Sequence, residues 1–224
     1  KTAYEVGKEE KIDVMLVGGD ITDGFKHAHI PEYTTFCHGV DEIVDYVVAN
    51  WPKEYPFHTK LIGGRHDLST KCDFGFNLLR AVCSRREDLA YMGDTMATFT
   101  FKQVRIRIWH PTGGSPYGRS WRAQRVTEAM IGNMISIVRQ TGKIEELPQL
   151  LCFGHLHSAF FMPYMGSLVV SIPALQSQTP YLEGKGLYPD LGMWIIVIDL
   201  DKDGKILEVT PKLKLWNHLV VQIL

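Results

Sequence analysis

Leu150-Leu151-Cys152-Phe153-Gly154-His155-Leu156-His157 is an apolar run that breaks at a glycine into two histidines one residue apart. An extended backbone throws alternate side chains to the same side, so His155 and His157 are expected to converge on one point where a strand runs out. Histidine is the commonest metal ligand and also a frequent core or loop residue, so the pair alone leaves a ligand site and a plain strand end both open. Three further segments carry the same kind of chemistry behind apolar strands. They are Gly18-Gly19-Asp20-Ile21-Thr22-Asp23-Gly24, Gly63-Gly64-Arg65-His66-Asp67 and Trp109-His110-Pro111.

Outward from these segments, residues 12–17 and 60–62 read as short buried strands whose glycine pairs let the backbone turn sharply. Helical spacing runs from about residue 32 to 51, where Pro52 stops it, and again from 74 to 86, with Arg85 and Arg86 at the carboxyl end of that helix's dipole. Residues 95–101 and 104–109 alternate at period two around Lys102-Gln103, a hairpin that delivers His110 to a strand end. Ser120 is placed to cap a helix reaching toward Gln140, and residues 159–164 and 168–172 pair across Met165-Gly166. Residues 176–192 read as a long irregular loop, and 193–200 with 205–215 as a terminal hairpin. Strand-helix units followed by hairpins predict an α/β fold, a mixed two-sheet β sandwich flanked by helices. In such sheets ligands collect beyond the carboxyl ends of the strands, where Asp20, His66, His110 and His155 are all expected.

Length and composition bound the function. The 224 residues, 45% hydrophobic, suit one domain with one core. A net charge of −1 and a pI of 6.8 call for neither nucleic acid nor an anionic membrane. Cys37, Cys72, Cys83 and Cys152 form no C-x-x-C pair and read as free thiols of a reducing cytoplasm. With no apolar run approaching the roughly 18 residues of a membrane span, a soluble cytoplasmic protein is expected. Lys1 to Lys11 is polar and reads as the tail of a helix closing at Gly7, from which an N-terminally incomplete domain is expected.

Gly-Asp-x-x-Asp, Gly-x-His-Asp, a strand-terminal histidine and Gly-His-x-His in this order resemble the calcineurin-like metallophosphoesterase superfamily, from about Asp13 to beyond His157. The resemblance implies an α/β/β/α sandwich spanning residues 1–224 and lacking the family's first strand. It implies two divalent ions (manganese, iron, zinc or nickel), with Asp20 bridging them, His110 and His155 on one and His157 on the other. It implies that His66 is the general acid and that Asp67 orients it. The activity implied is hydrolysis of a phosphomonoester or phosphodiester by a metal-bridged hydroxide. Two cations suit that chemistry because they offset the ester's negative charge and supply hydroxide near neutral pH.

Two departures qualify the pattern. The family's Asp-x-His on a first strand is not among these residues, and two readings follow: a segment upstream of Lys1 carries it, which is the expectation here, or the chain does not bind that ion. Arg65 stands where the family has a metal-binding asparagine, and a guanidinium has no lone pair to offer a cation. Two readings of Arg65 follow: a bidentate grip on the substrate phosphate, or an altered site on a fold that serves as a protein-binding scaffold. Arg119, Arg122 and Arg125, with Tyr117 and Trp121 interleaved, read either as a grip on a nucleic-acid backbone or as a solvated helix face. Gln176, Gln178 and Tyr181 are placed in the long loop to cover a site. His27, His29, His38, His58 and His218 match no motif and read as surface or packing residues, and Asp23 as a residue that holds its loop. Oligomeric state is not legible.

Overall fold

The computed structural model describes residues 2–25, 35–113, 118, 120–142 and 147–216. His27, His29, Tyr117, Arg119 and His218, and the first residues of the helix expected from about residue 32, lie outside them. The chain divides into two units. The first comprises Lys1–Thr98, Arg107–Gly113 and Phe153–His155. The second comprises Phe99–Ile106, Gly114–Cys152 and Leu156–Leu224.

In the first unit, strands β1 (Val14–Val17), β2 (His58–Ile62) and β3 (Leu89–Gly93) form a parallel sheet in the order β1-β2-β3, with Val17 opposite Leu61 and Thr59 opposite Leu89. Parallel neighbours need a crossover, and helices α2 (Val40–Asn50) and α4 (Leu78–Ser84) supply it. Their apolar stripes meet over Leu61, so that Ile43, Val44, Leu78, Leu79, Val82 and Leu89 share one core. Strand β3 was not expected: it holds no β-branched residue, and its pairing with β2 makes it a strand.

Three expectations are corrected in this unit. The helix expected over residues 74–86 is shorter, α4 (Leu78–Ser84), and Phe74 instead closes a separate helix, α3 (Ser69–Phe74), which ends where Gly75 takes a left-handed φ of 73° and leaves Phe74 exposed. Helix α1 (Ala3–Glu9) is capped by Thr2 in a reciprocal box with Glu5, and Gly7 lies inside it. A Cβ at Gly7 would lie 2.8 Å from Ile12 Cδ1 and 3.0 Å from Phe57 Cζ, so that glycine is a packing residue and not a stop.

Arg85 and Arg86 serve α2 rather than their own helix. Arg85 pairs with Asp45, while buried Arg86 donates to the carbonyls of Val48, Trp51 and Pro52 and to Asp88. The Arg86 head thus takes up the carbonyls left without partners where α2 ends. Arg86→Met keeps the volume and strands these acceptors. It is expected to destabilise the protein by about 2–4 kcal/mol, read as a lower urea midpoint at unchanged m-value.

The five-stranded sheet runs in the order β4-β5-β6-β8-β7. Its strands are β4 (Met96–Phe101), β5 (Val104–Trp109), β6 (Leu150–Phe153), β7 (Phe160–Tyr164) and β8 (Ser167–Ser171), with β7 and β8 antiparallel. Strands β5 and β6 start in the second unit, and their last residues, from Arg107 and from Phe153, count to the first. The second unit also holds α5 (Trp121–Thr141), the short α6 (Pro180–Gly184) within the expected irregular loop, and an antiparallel ladder of β9 (Gly192–Leu200) and β10 (Ile206–Leu215). Ser120 stands at the N-cap of α5 without a side-chain cap bond. Arg125 pairs with Glu128 at 3.0 Å, which favours the solvated-face reading of that helix's arginines. The chain is α/β, with parallel and antiparallel pairings and flanking helices. Among the described residues no helix is long and apolar enough to cross a membrane.

Candidate metal centre

Each motif follows the carboxyl end of a strand: Asp20 after β1, His66 after β2, His110 directly after β5 and His155 after β6. Asp20, His110 and His155 come together so closely that one ligand atom from each lies within 4.8 Å of the others. The two imidazole centroids are 5.1 Å apart at 64°. His110 is 1% exposed, whereas Asp20 and His155 remain partly accessible. Two glycines allow this approach. A Cβ at Gly154 would collide with the Gly18 carbonyl and lie 3.0 Å from His110 Nδ1, and one at Gly64 would lie 2.6 Å from Asp20 Cγ.

The hydrogen bonds fix the tautomer of each imidazole. His110 Nδ1 lies 2.7 Å from the Gly18 carbonyl, which can only accept, so Nδ1 carries the proton and the neutral ring presents a lone pair at Nε2. That Nε2 is buried, has no well-directed hydrogen-bond partner, and faces Asp20 Oδ2 at 3.1 Å. Two acceptors turned toward each other in a buried site need a cation between them, either a proton or a metal ion. His155 Nε2 lies 2.8 Å from the Gly113 carbonyl, which by the same logic leaves Nδ1 as its ligand atom. The donor set fits a divalent metal: two imidazoles held in the right tautomer and one carboxylate.

Without metal, a proton serves that gap. Burial works to lower the His110 pKa, but the facing Asp20 carboxylate and the Gly18 carbonyl raise it above the ordinary 6.5. For Asp20, burial works upward, and His110 and nearby His66 outweigh it, bringing the carboxyl from 3.8 down to about 2. The lowered Asp20 pKa stabilises the fold above pH about 4 and loses that effect as pH falls toward 2. The raised His110 pKa stabilises below 6.5 and loses its effect as pH rises through the folded value. Metal competes with the His110 proton. Divalent-ion affinity is therefore expected to keep increasing with pH above 6.5, with proton release on binding, measurable by calorimetry in buffers of different ionisation enthalpy.

Asp67 departs from its expected role. Its buried carboxylate accepts from Ile21 N (3.1 Å), Thr22 N (2.9 Å), Thr22 Oγ1 (3.0 Å) and Gly64 N (2.9 Å), and so it is spent on the loop after Asp20 and the turn beyond β2. Burial lifts the Asp67 pKa to about 6, with the Asp20 charge adding to the rise and these donors opposing it. His66 is partly accessible. Its backbone N–H donates to Asp20 Oδ1 at 2.9 Å, and its ring Nδ1 lies 3.4 Å from the Asp23 carbonyl. Arg65 is exposed and makes no ion pair among the described residues.

His155 and His157 do not sit on an extended strand. Strand β6 ends at Phe153, and both histidines take left-handed φ values, 71° and 50°, so the chain turns where alternation was expected. His157 belongs to the second unit, where its carbonyl accepts from Asp190 N. Sequence reasoning missed the carbonyls of Gly18 and Gly113 that set the tautomers. The Gly18-Gly19 pair was visible, but the acceptor role of its backbone was not.

No family model matches the chain, and no curated protein matches it. Solved structures similar to it include an archaeal phosphodiesterase at 15% identity, covering 95% of this chain and 89% of that one with a TM-score of 0.49. Zinc-complexed Vps29 from Entamoeba histolytica is similar at 14% identity, covering 90% and 98% with a TM-score of 0.39. A conserved Streptococcus pneumoniae protein described as a predicted phosphoesterase is similar at 10%, covering 90% and 95% with a TM-score of 0.33. The order of motifs in this α/β chain, each standing just past a strand end, resembles the calcineurin-like metallophosphoesterase superfamily.

Proposed function

We propose that the chain is a metal-dependent phosphoesterase acting on a phosphomonoester or phosphodiester. The observation that carries this reading is the buried Nε2 of His110, without a well-directed hydrogen bond, facing Asp20 Oδ2, with His155 beside it. Asp20, His110 and His155 would hold one divalent cation, and the motif resemblance gives His157 to a second. Bound cations supply charge neutralisation at the ester and activation of water near neutral pH. The remaining work falls to side chains of this chain. His66, partly open to solvent beside Asp20, protonates the leaving alkoxide, which departs poorly as an anion. Arg65, exposed and adjacent to His66, whose backbone N–H donates to Asp20, grips the phosphate by paired N–H donors.

Turnover of an aryl phosphate diester with manganese tests this. Activity abolished by chelation and restored by manganese is expected. No turnover and no bound metal would overturn it. The second reading, a protein-binding scaffold, rests on Arg65 in place of a metal-binding asparagine. Arg65→Asn separates the two. A phosphate grip predicts a loss of about tenfold or more in kcat/KM, carried mainly by KM. A disabled site predicts a gain.

A further inference from the structure

Asp20 takes a φ of 53°, in the left-handed region, which aspartate enters more readily than most residues with a side chain but still at a cost that its surroundings must meet. The surroundings that do so come mainly from one side chain. Each Asp67 oxygen accepts two donors: Oδ1 takes Thr22 N and Thr22 Oγ1, and Oδ2 takes Ile21 N and Gly64 N. Three donors thus belong to the two residues that follow Asp20, and the fourth to the turn beyond β2. Asp20 returns the contact by accepting from His66 N through Oδ1. Two carboxylates, 47 positions apart in the sequence, therefore staple the same pair of loops from opposite sides. With Oδ1 held by that amide and the following peptides held by Asp67, Oδ2 is left aimed at His110 Nε2.

We propose that Asp67 is a positioning residue for Asp20: it locks the left-handed turn that presents Oδ2 to the cation, and it does not act through His66. This rests on the metal-centre reading above. A carboxylate suits the task because it accepts four bonds and donates none. An asparagine in its place must turn an NH2 group toward N–H donors on one side, and the loop is released there.

Calorimetric titration of manganese into the whole protein tests the assignment. Asp67→Asn is expected to weaken manganese binding about 10- to 100-fold, the range found when groups that orient metal ligands are removed. Thr22→Val keeps the side chain's shape and deletes one of the four donors, together with the acceptor of Gly24 N in the same loop, and is expected to cost about fivefold. His66→Ala leaves the backbone amide in place and is expected to bind manganese as the parent does. Arg86→Met destabilises the same unit at a distance, and is expected to keep parental affinity, which separates positioning from general loss of stability. If Asp67→Asn fails to fold, Thr22→Val carries the test. Parental affinity in Thr22→Val and in folded Asp67→Asn overturns the positioning role and leaves the metal centre standing. Failure of the parent protein itself to bind manganese removes the metal-centre reading, and this assignment with it.

Discussion

Asp20→Asn is expected to abolish divalent-ion binding, with a loss well beyond the roughly 100-fold that removal of a supporting group produces. The change preserves shape and preserves the bond from His66 N, since the amide oxygen still accepts. What it removes is the negative charge facing His110 at 3.1 Å. With the amide oxygen held by His66 N, the NH2 group faces the His110 lone pair, which satisfies both groups and closes the site to cations. The same substitution takes away the charge that raises the His110 pKa, so the His110 resonance in a pH titration by NMR is expected to move acidward. Unchanged metal affinity in this variant would mean that Asp20 is no ligand.

Gly154→Ala is expected to be strongly destabilising. The added methyl would collide with the Gly18 carbonyl oxygen, stand 2.9 Å from the Gly18 carbonyl carbon and 3.0 Å from His110 Nδ1. The first two atoms are backbone, so no side-chain rotation relieves the contact. Either β6 or the segment after β1 must shift, and both carry the site. Overpacking against such neighbours costs about 3 kcal/mol or more. For a chain of this size that is a fall of roughly 6–12 °C in the thermal midpoint, seen by scanning calorimetry. Metal affinity should fall as well, because the Gly18 carbonyl is the group that fixes the His110 tautomer. A change of less than a degree would show that the approach of Gly154 to Gly18 is not tight in solution.

The residues of the candidate site were legible because they are discrete chemical types standing beside glycines at the ends of apolar runs. Asp20, His110 and His155 needed only to be placed past the correct strands, and each follows one. What was not legible depends on contacts between distant segments. Strand β3 has no propensity signal of its own and is recruited by β2. Arg86 was read against its own helix, yet the carbonyls it serves belong to α2 and the residues after it. Gly7 and Gly75 look alike in sequence, but one admits a close packing contact and the other a left-handed helix end. Alternation at His155 and His157 assumed an extended backbone, and nothing local announces that both residues turn left-handed. The resemblance implied that Asp67 orients His66, whereas burial and four donors tie its carboxylate to the loop after Asp20 and the turn beyond β2.

Anomalous diffraction from crystals of the protein grown with manganese or zinc addresses the metal centre without relying on turnover. A strong peak is expected within about 2.0–2.3 Å of His110 Nε2, Asp20 Oδ2 and the Nδ1 of His155. A saturating metal concentration that leaves no peak at these atoms, with the ion bound elsewhere or not at all, would contradict the account.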